Sequence, residues 1–162
     1  MLSRLTDNTD KVAESIDVII GDFQSRIVDK NGQELPVGEA GELAIKGDCV
    51  AKSNYNLEET SSFTPESWVF TGDMACLDKE GYVYLKGRKK EMYIQGAYNI
   101  YPVEIKKYFN RAPKVQITAV IEVPDPKLGE IGRCYSVPGD KVDEDELKSY
   151  CRQYLAGYKV SR

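Results

Sequence analysis

Three short stretches of this 162-residue chain hold the residue types that could grip a nucleotide: Thr71-Gly72-Asp73, Gly87-Arg88-Lys89-Lys90-Glu91-Met92, and Gly96-Ala97-Tyr98-Asn99-Ile100-Tyr101-Pro102. Singly, each has an ordinary structural explanation: a turn acid capping nearby backbone, a solvated basic turn, a loop entering a helix. Their order is more informative. A carboxylate can accept two hydrogen bonds from a ribose diol. An arginine shortly downstream offers a planar fork to ribose oxygens or phosphate. A charged residue just after that arginine, at a domain boundary, suits a hinge that absorbs backbone rotation. A glycine-containing loop beyond it can approach a ligand closely, because it lacks bulk at the contact.

Composition narrows the chemistry further. Histidine is absent, which removes Ser-His-Asp and Cys-His catalysis and every His-containing zinc site. Cys49, Cys76, Cys134 and Cys151 are widely spaced with no CxxC pair. That excludes a zinc knuckle or thioredoxin motif and predicts reduced, packed thiols in a cytoplasmic protein. A formal net charge of -4 argues against nucleic acid as a partner. No apolar run approaches the roughly 18 residues of a membrane span, and the polar start gives no signal-peptide core.

The elements that must position these residues can be read from periodicity. Residues 1–15 are polar and read as a loosely held leader. Residues 16–28 favour β structure, followed by the turn Asp29-Lys30-Asn31-Gly32-Gln33, whose Asn-Gly pair predicts a tight hairpin. A short strand at 42–47 places Leu43 and Ile45 on one face, and a short helical piece is expected near 57–60. Residues 74–77, the turn 78–81 and residues 82–86 form a second hairpin. Further on, Pro102 opens a helix carrying Ile105, Tyr108 and Phe109 on one face, stopped by Ala112-Pro113. Residues 115–123 read as a buried strand, with 133–137 as its partner. A last helix begins at Asp143, with Glu146 as its capping-box residue, an apolar stripe of Leu147, Tyr150, Cys151, Tyr154 and Leu155, and Gly157 as its end. The predicted fold class is α+β: a β-rich unit over residues 1–87, then a small α+β unit over 88–162.

With the elements placed, a family resemblance emerges. Gly41-Glu42-Leu43, Trp68-Val69-Phe70-Thr71-Gly72-Asp73, Asp78-Lys79-Glu80-Gly81-Tyr82, Gly87-Arg88-Lys89-Lys90-Glu91-Met92, Tyr98-Asn99-Ile100-Tyr101-Pro102-Val103-Glu104-Ile105 and Val123-Pro124-Asp125 occur in series. The chain, from about residue 18 to 159, resembles the C-terminal part of the AMP-forming adenylating enzymes, and within them the acyl-CoA synthetases that act on fatty or aryl acids. The resemblance implies that residues 1–87 end a large domain as its distal β subdomain, and that 88–162 form most of a small lid. Such enzymes join a carboxylate to ATP, release pyrophosphate, and pass the acyl group from AMP to coenzyme A. It further implies that Asp73 holds the ribose hydroxyls of ATP, that Arg88 contacts the nucleotide, and that Lys90 is the hinge of the lid. Gly96, Ala97 and Asn99 then belong to the loop lining the path of coenzyme A.

Departures from the pattern carry expectations of their own. Phe70 stands where a basic or polar residue often precedes Thr-Gly-Asp. Gln95-Gly96-Ala97 replaces a Ser-Gly-Gly type run, which predicts a less flexible loop. The Gly-rich phosphate loop and the Thr-Glu segment associated with magnesium are missing, and the adenylation lysine lies beyond Arg162; Lys159 is not that lysine. The resemblance therefore implies ATP, magnesium and coenzyme A for a parent enzyme acting on a carboxylic acid, with none held tightly by these residues alone. The 162 residues are expected to be inactive as they stand, and exposure of apolar surface leaves them open to dimerisation. The alternative from a different class is a short, non-catalytic binding module on the same fold.

Overall fold

The computed structural model describes residues 9–51, 53, 62–139 and 143–160. It is an α+β structure that divides into two compact units, Met1–Lys90 and Glu91–Arg162. The division falls within the charged segment 87–91, and Gly87 and Arg88 stay with the first unit because the strand that carries them runs through both.

The first unit is a four-stranded antiparallel sheet in simple sequence order: β1 (Gln24–Val28), β2 (Gly41–Lys46), β3 (Val69–Leu77) and β4 (Val83–Arg88). Alternation puts Ile27, Leu43, Ala75 and Val83 together in its core, flanked by Ile16, Ile19, Leu35, Ile45 and Leu77. Two aspartates tie its turns. The Asp29 carboxylate accepts the backbone N–H groups of Asn31 and Gln33, each at 2.8 Å. Asp78 does the same for Glu80 and Tyr82, at 2.8 and 2.9 Å. The Asn31-Gly32 turn closes a short hairpin as its sequence predicts: the Asp29 N–H donates to the Gln33 carbonyl at 2.9 Å and the Leu35 N–H to the Ile27 carbonyl at 2.8 Å, on either side of a bridge between Val28 and Glu34. The hairpin is brief, and the long strand partner of β1 is β2.

Ahead of the sheet, residues 9–14 form a short helix, α1 (Thr9–Glu14), rather than loose leader; Lys11 pairs there with Asp78 and Glu80 and lies over the Tyr82 ring. The helical piece expected near 57–60 lies outside the described residues.

The second unit has a four-stranded antiparallel sheet ordered β6-β5-β8-β7, built from β5 (Tyr93–Gln95), β6 (Tyr98–Ile100), β7 (Val115–Asp125) and β8 (Gly129–Pro138). Helices α2 (Pro102–Phe109) and α3 (Glu144–Cys151) complete it. The core joins Tyr93, Ile100, Ile105, Phe109, Val120, Cys151, Leu155 and Val160. Pro102 opens α2 as its sequence predicts, and Lys106 and Lys107 in the last turn complement the helix dipole.

Several expectations are corrected in this unit. β7 is half-buried, not buried: Thr118 and Val120 face the core, whereas Ile117 is 61% exposed and Ile121 is also in solvent. The Asp143 side chain makes no capping hydrogen bond. α3 ends at Cys151, and Gly157 instead opens a 3-10 turn, Gly157–Lys159. Tyr154 is exposed, so the stripe on this segment is narrower than its spacing suggests. The four cysteines are free; Cys151 is buried, but Cys49 is exposed rather than packed.

Candidate functional site

In the first unit, the site begins with an irregular strand pair. Leu77, Cys76 and Ala75 of β3 face Val83, Tyr84 and Leu85 of β4 in regular register. The register then shifts, so that Met74 faces Gly87 and Asp73 faces Arg88. Lys86 is the extra residue of this β-bulge, and without it Asp73 would face glycine. Across the shifted pair, the Arg88 Nε donates to Asp73 Oδ1 at 2.9 Å, with 61% of the arginine side chain exposed and only 25% of the aspartate.

The glycine before the acid has φ +76, a left-handed turn that a side chain would strain. Thr71 fixes this corner from both sides: its hydroxyl donates to the Leu43 carbonyl at 2.9 Å and accepts from the Asp73 N–H at 3.1 Å. The result is a half-buried carboxylate beside an outward guanidinium, each with one atom committed to the other. That arrangement can accept from vicinal hydroxyls and donate to an anion at once.

Immediately beyond, Lys89 Nζ lies 2.6 Å from Glu42 Oε2, a carboxylate largely buried on β2. Lys89 and Lys90 begin the 3-10 turn Lys89–Glu91. Lys90 is exposed and stands at the last position of the first unit. Glu42 was legible only as part of a motif; that it anchors the residue next to Lys90 requires the sheet, since 47 positions separate Glu42 and Lys89.

Gly96, Ala97 and Asn99 belong to the second unit, in a hairpin the sequence presents as a plain loop. Tyr93, Ile94 and Gln95 pair with Ile100, Asn99 and Tyr98, leaving Gly96 and Ala97 as a two-residue turn. Gly96 has φ +62. A Gly-X pair between two short alternating stretches is the sequence signal for this turn. Asn99 is exposed on β6, while Tyr93 and Ile100 root the hairpin in the core. Burial pushes the Tyr93 hydroxyl up to about 12, which keeps it a neutral core group.

Two further segments hold the tip. From the β7–β8 turn, the Leu128 carbonyl accepts the Gly96 N–H at 2.8 Å, and from the start of β8 the Glu130 carboxylate accepts the Ile94 N–H at 2.9 Å. From the 3-10 turn, the Tyr158 ring stacks on Tyr98 with centroids 4.1 Å apart and planes 14° from parallel. The Tyr158 carbonyl also accepts from the Gln95 side chain at 2.6 Å. Lys159 secures that turn by reaching both carboxylate oxygens of Glu104 on α2, at 2.8 Å each. Gln95 stands out in the sequence only as part of a departure that stiffens the loop, and Tyr158 and Glu104 are given no role there, because the contacts of all three depend on partners about 60 residues away.

Among the described residues, no three cysteine, aspartate or glutamate side chains converge to hold a metal ion. Also among the described residues, no helix is long and apolar enough to cross a membrane.

Comparison with known proteins gives this geometry a family. The model of the AMP-binding enzyme C-terminal domain matches residues 104–162. Feruloyl-CoA synthase from Amycolatopsis is 39% identical over 140 residues, which is 85% of this chain and 28% of that protein. The long-chain-fatty-acid–CoA ligase of Bacillus subtilis is 38% identical over 137 residues, covering 83% of this chain and 24% of the ligase. Among solved structures, o-succinylbenzoate CoA synthetase from Bacillus subtilis, in complex with its acyl-adenylate intermediate, aligns with a TM-score of 0.89 at 32% identity. That alignment covers 94% of this chain and 32% of the synthetase. The chain thus spans only about a quarter to a third of the proteins it matches. In sequence and in fold, it belongs to the adenylate-forming enzymes, corresponding to the C-terminal portion of their acyl-CoA ligases.

Proposed function

We propose that these residues serve an acid–thiol ligase that activates a carboxylic acid, of the fatty-acid class, and transfers it to coenzyme A. In the first step a carboxylate oxygen attacks the α-phosphorus of ATP and pyrophosphate leaves. In the second, the coenzyme A thiol attacks the acyl carbonyl, AMP departs with the bonding pair, and the thiol proton passes to solvent. Asp73 accepts the ribose hydroxyls and Arg88 donates to the nucleotide. Lys90 is the point about which the second unit turns between the two steps. Gly96 and Ala97 present backbone to the pantetheine arm, with Asn99 beside them.

The observation that carries this reading is the Asp73–Arg88 pair, set opposite each other by the bulge at Lys86 and joined at 2.9 Å. A purely structural ion pair would not need a left-handed glycine and a threonine clamp to aim its carboxylate. The fatty-acid class is supported by the similarity to the Bacillus subtilis long-chain ligase. Free cysteines without a CxxC pair favour a reducing, cytoplasmic setting. Apolar residues in solvent on β7 and β8, Ile117 and Val137 among them, favour self-association of the isolated chain.

The test is carboxylate-dependent ATP–pyrophosphate exchange. In the longest native polypeptide that carries these residues, Asp73→Ala is expected to cut exchange on the order of 100-fold, the scale of losing one oriented charge-stabilising group. Lys90→Pro should spare exchange and block thioester formation. The 162-residue chain alone should show none. Unaltered exchange in the Asp73 variant would remove the assignment, and robust exchange by the chain alone would show that the missing phosphate loop is dispensable. A native polypeptide confined to these residues, and inactive, would favour the binding-module alternative.

A further inference from the structure

We infer that Tyr158 and Gln95 are positioning residues for the thioester step: they hold the β5–β6 tip where coenzyme A must pass. The inference rests on the reading of Gly96 and Ala97 as part of that path.

The problem is mechanical. A turn that meets a ligand through its backbone has no long side chain to reach across an error in placement. Displacement of about 1 Å can cost on the order of 100-fold in rate. Yet each strand of this hairpin is three residues long, and only its root is in the core. Ile94 and Tyr98, next to the tip, are half or more in solvent. Two short strands with one buried end do not fix the other end unaided.

What fixes it is a closed circuit. The Gly96 N–H is tied to Leu128 and the Ile94 N–H to Glu130, which steadies one edge. The other side is met by Tyr158, through ring stacking on Tyr98 and through the carbonyl that accepts from Gln95. Tyr158 is itself immobilised. Leu155 and Val160 are buried on either side of it, and Lys159 grips Glu104. Glu104 lies in the first turn of α2, which starts two residues after the hairpin ends. The chain therefore leaves the hairpin, enters α2, and returns through Glu104, Lys159 and Tyr158 to clamp the strand pair it left. Stability alone would not call for an exposed aromatic stack at the outer end of a hairpin whose root is already packed.

The experiment uses two readouts. In the 162-residue chain, amide hydrogen exchange at Gly96 and Ile94 should quicken in Tyr158→Leu and Gln95→Ala, with β7–β8 amides unchanged. Tyr158→Phe, which keeps the ring, should match the original. In the longest native polypeptide, Tyr158→Leu should lower the single-turnover transfer from acyl-adenylate to coenzyme A by about 10- to 100-fold. Most of that loss should appear in the rate at saturating coenzyme A rather than in KM, ATP–pyrophosphate exchange should stay within about twofold, and Tyr158→Phe should restore transfer.

Ala97→Trp separates this inference from the reading beneath it. Should the tryptophan leave coenzyme A turnover unchanged, the loop is not the path and both fall. Should it block turnover while Tyr158→Leu loosens the tip without slowing transfer, the path stands and the positioning role is overturned. Unchanged exchange at Gly96 in Tyr158→Leu overturns it as well.

Discussion

The two units present their candidate ligand-facing groups in opposite ways. The first offers side chains, Asp73 and Arg88, aimed by a bulge in a regular sheet whose strands follow one another along the chain. The second offers backbone at the tip of a hairpin, held by an aromatic stack and by segments from far along the sequence. A side chain can be aimed by its immediate neighbours. A stretch of backbone must be braced from outside, so the second kind of site recruits more of its unit.

The bracing chemistry differs in the same sense. Charged carboxylates tie the turns of the first unit at Asp29 and Asp78. Neutral, buried ionisable groups, Tyr93 and Cys151, lie in the core of the second. Each pattern leaves its own mark on stability.

The sharpest contrast should come from two glycines. A Cβ on Gly41 would collide with the Val28 carbonyl oxygen and with Leu35 and Ile27 side chains 2.6 and 2.8 Å away. Backbone in a paired strand cannot step aside, so Gly41→Ala should destabilise the first unit by about 3 kcal/mol, the upper range for overpacking. A Cβ on Gly132 would instead meet the Tyr93 phenol, the outer end of a side chain, though a buried one. Gly132→Ala should cost the second unit about 2 kcal/mol. Urea titration followed by amide exchange in each unit measures both; equal losses would erase the distinction between backbone and side-chain obstruction.

Alkaline titration should separate the units next. Burial raises Tyr93 from 10.0 to about 12 and Cys151 from 9.0 to about 11. The folded state holds those protons more tightly than the unfolded chain does. The stabilisation is therefore complete below about pH 9 and is lost as pH climbs to about 12, on the order of 2 kcal/mol per group. The second unit should loosen more, because these two groups sit in its packed core; the raised groups of the first, Lys11 held up by Glu80 and Tyr84 by burial, lie outside its packed cluster of Ile27, Leu43, Ala75 and Val83. Tyr93→Phe should shrink the effect; an unchanged alkaline profile in that variant would break the argument.

Acid should reverse the order, with the smallest effect of the series. At Asp29 the Gln33 N–H is the largest influence holding the carboxyl below its ordinary value. At Asp78 burial is the largest influence and opposes the charge, but the N–H groups of Tyr82 and Glu80 and the nearby Lys11 together outweigh it. Because both folded values are depressed, this stabilisation is present above the ordinary carboxylate range and disappears as pH falls through and below it. Protection of the first unit's turn amides between pH 5 and pH 2 is the measurement. Asp78→Asn keeps an acceptor oxygen that does not titrate and should flatten the response at that turn.

What could be read from the sequence follows the same division. Strands of the first unit announce themselves by alternation, and their charged site residues stand next to glycines that mark turns. Even there, the bulge at Lys86 escaped notice, because one extra residue in β4 leaves the alternation of its neighbours almost intact. In the second unit, Pro102, Ile105 and Phe109 gave α2 correctly. The β5–β6 hairpin was missed, though Gly96-Ala97 is a recognised turn pair, because three-residue strands are too short to show a period. Nothing near Tyr158 in the chain points to Tyr98; stacking between them is a product of tertiary packing.

Sheet order also fixes a timetable for synthesis. Strands of the first sheet meet in the order in which they leave the ribosome, each pairing with the one just made. In the second sheet β5 waits for β8, and the clamp on Gln95 waits for residue 158. At about 5–20 residues per second, the hairpin is exposed as nascent chain for several seconds before its brace is made. Among the described residues, the β5–β6 tip is thus braced late, by a segment made more than sixty positions after it.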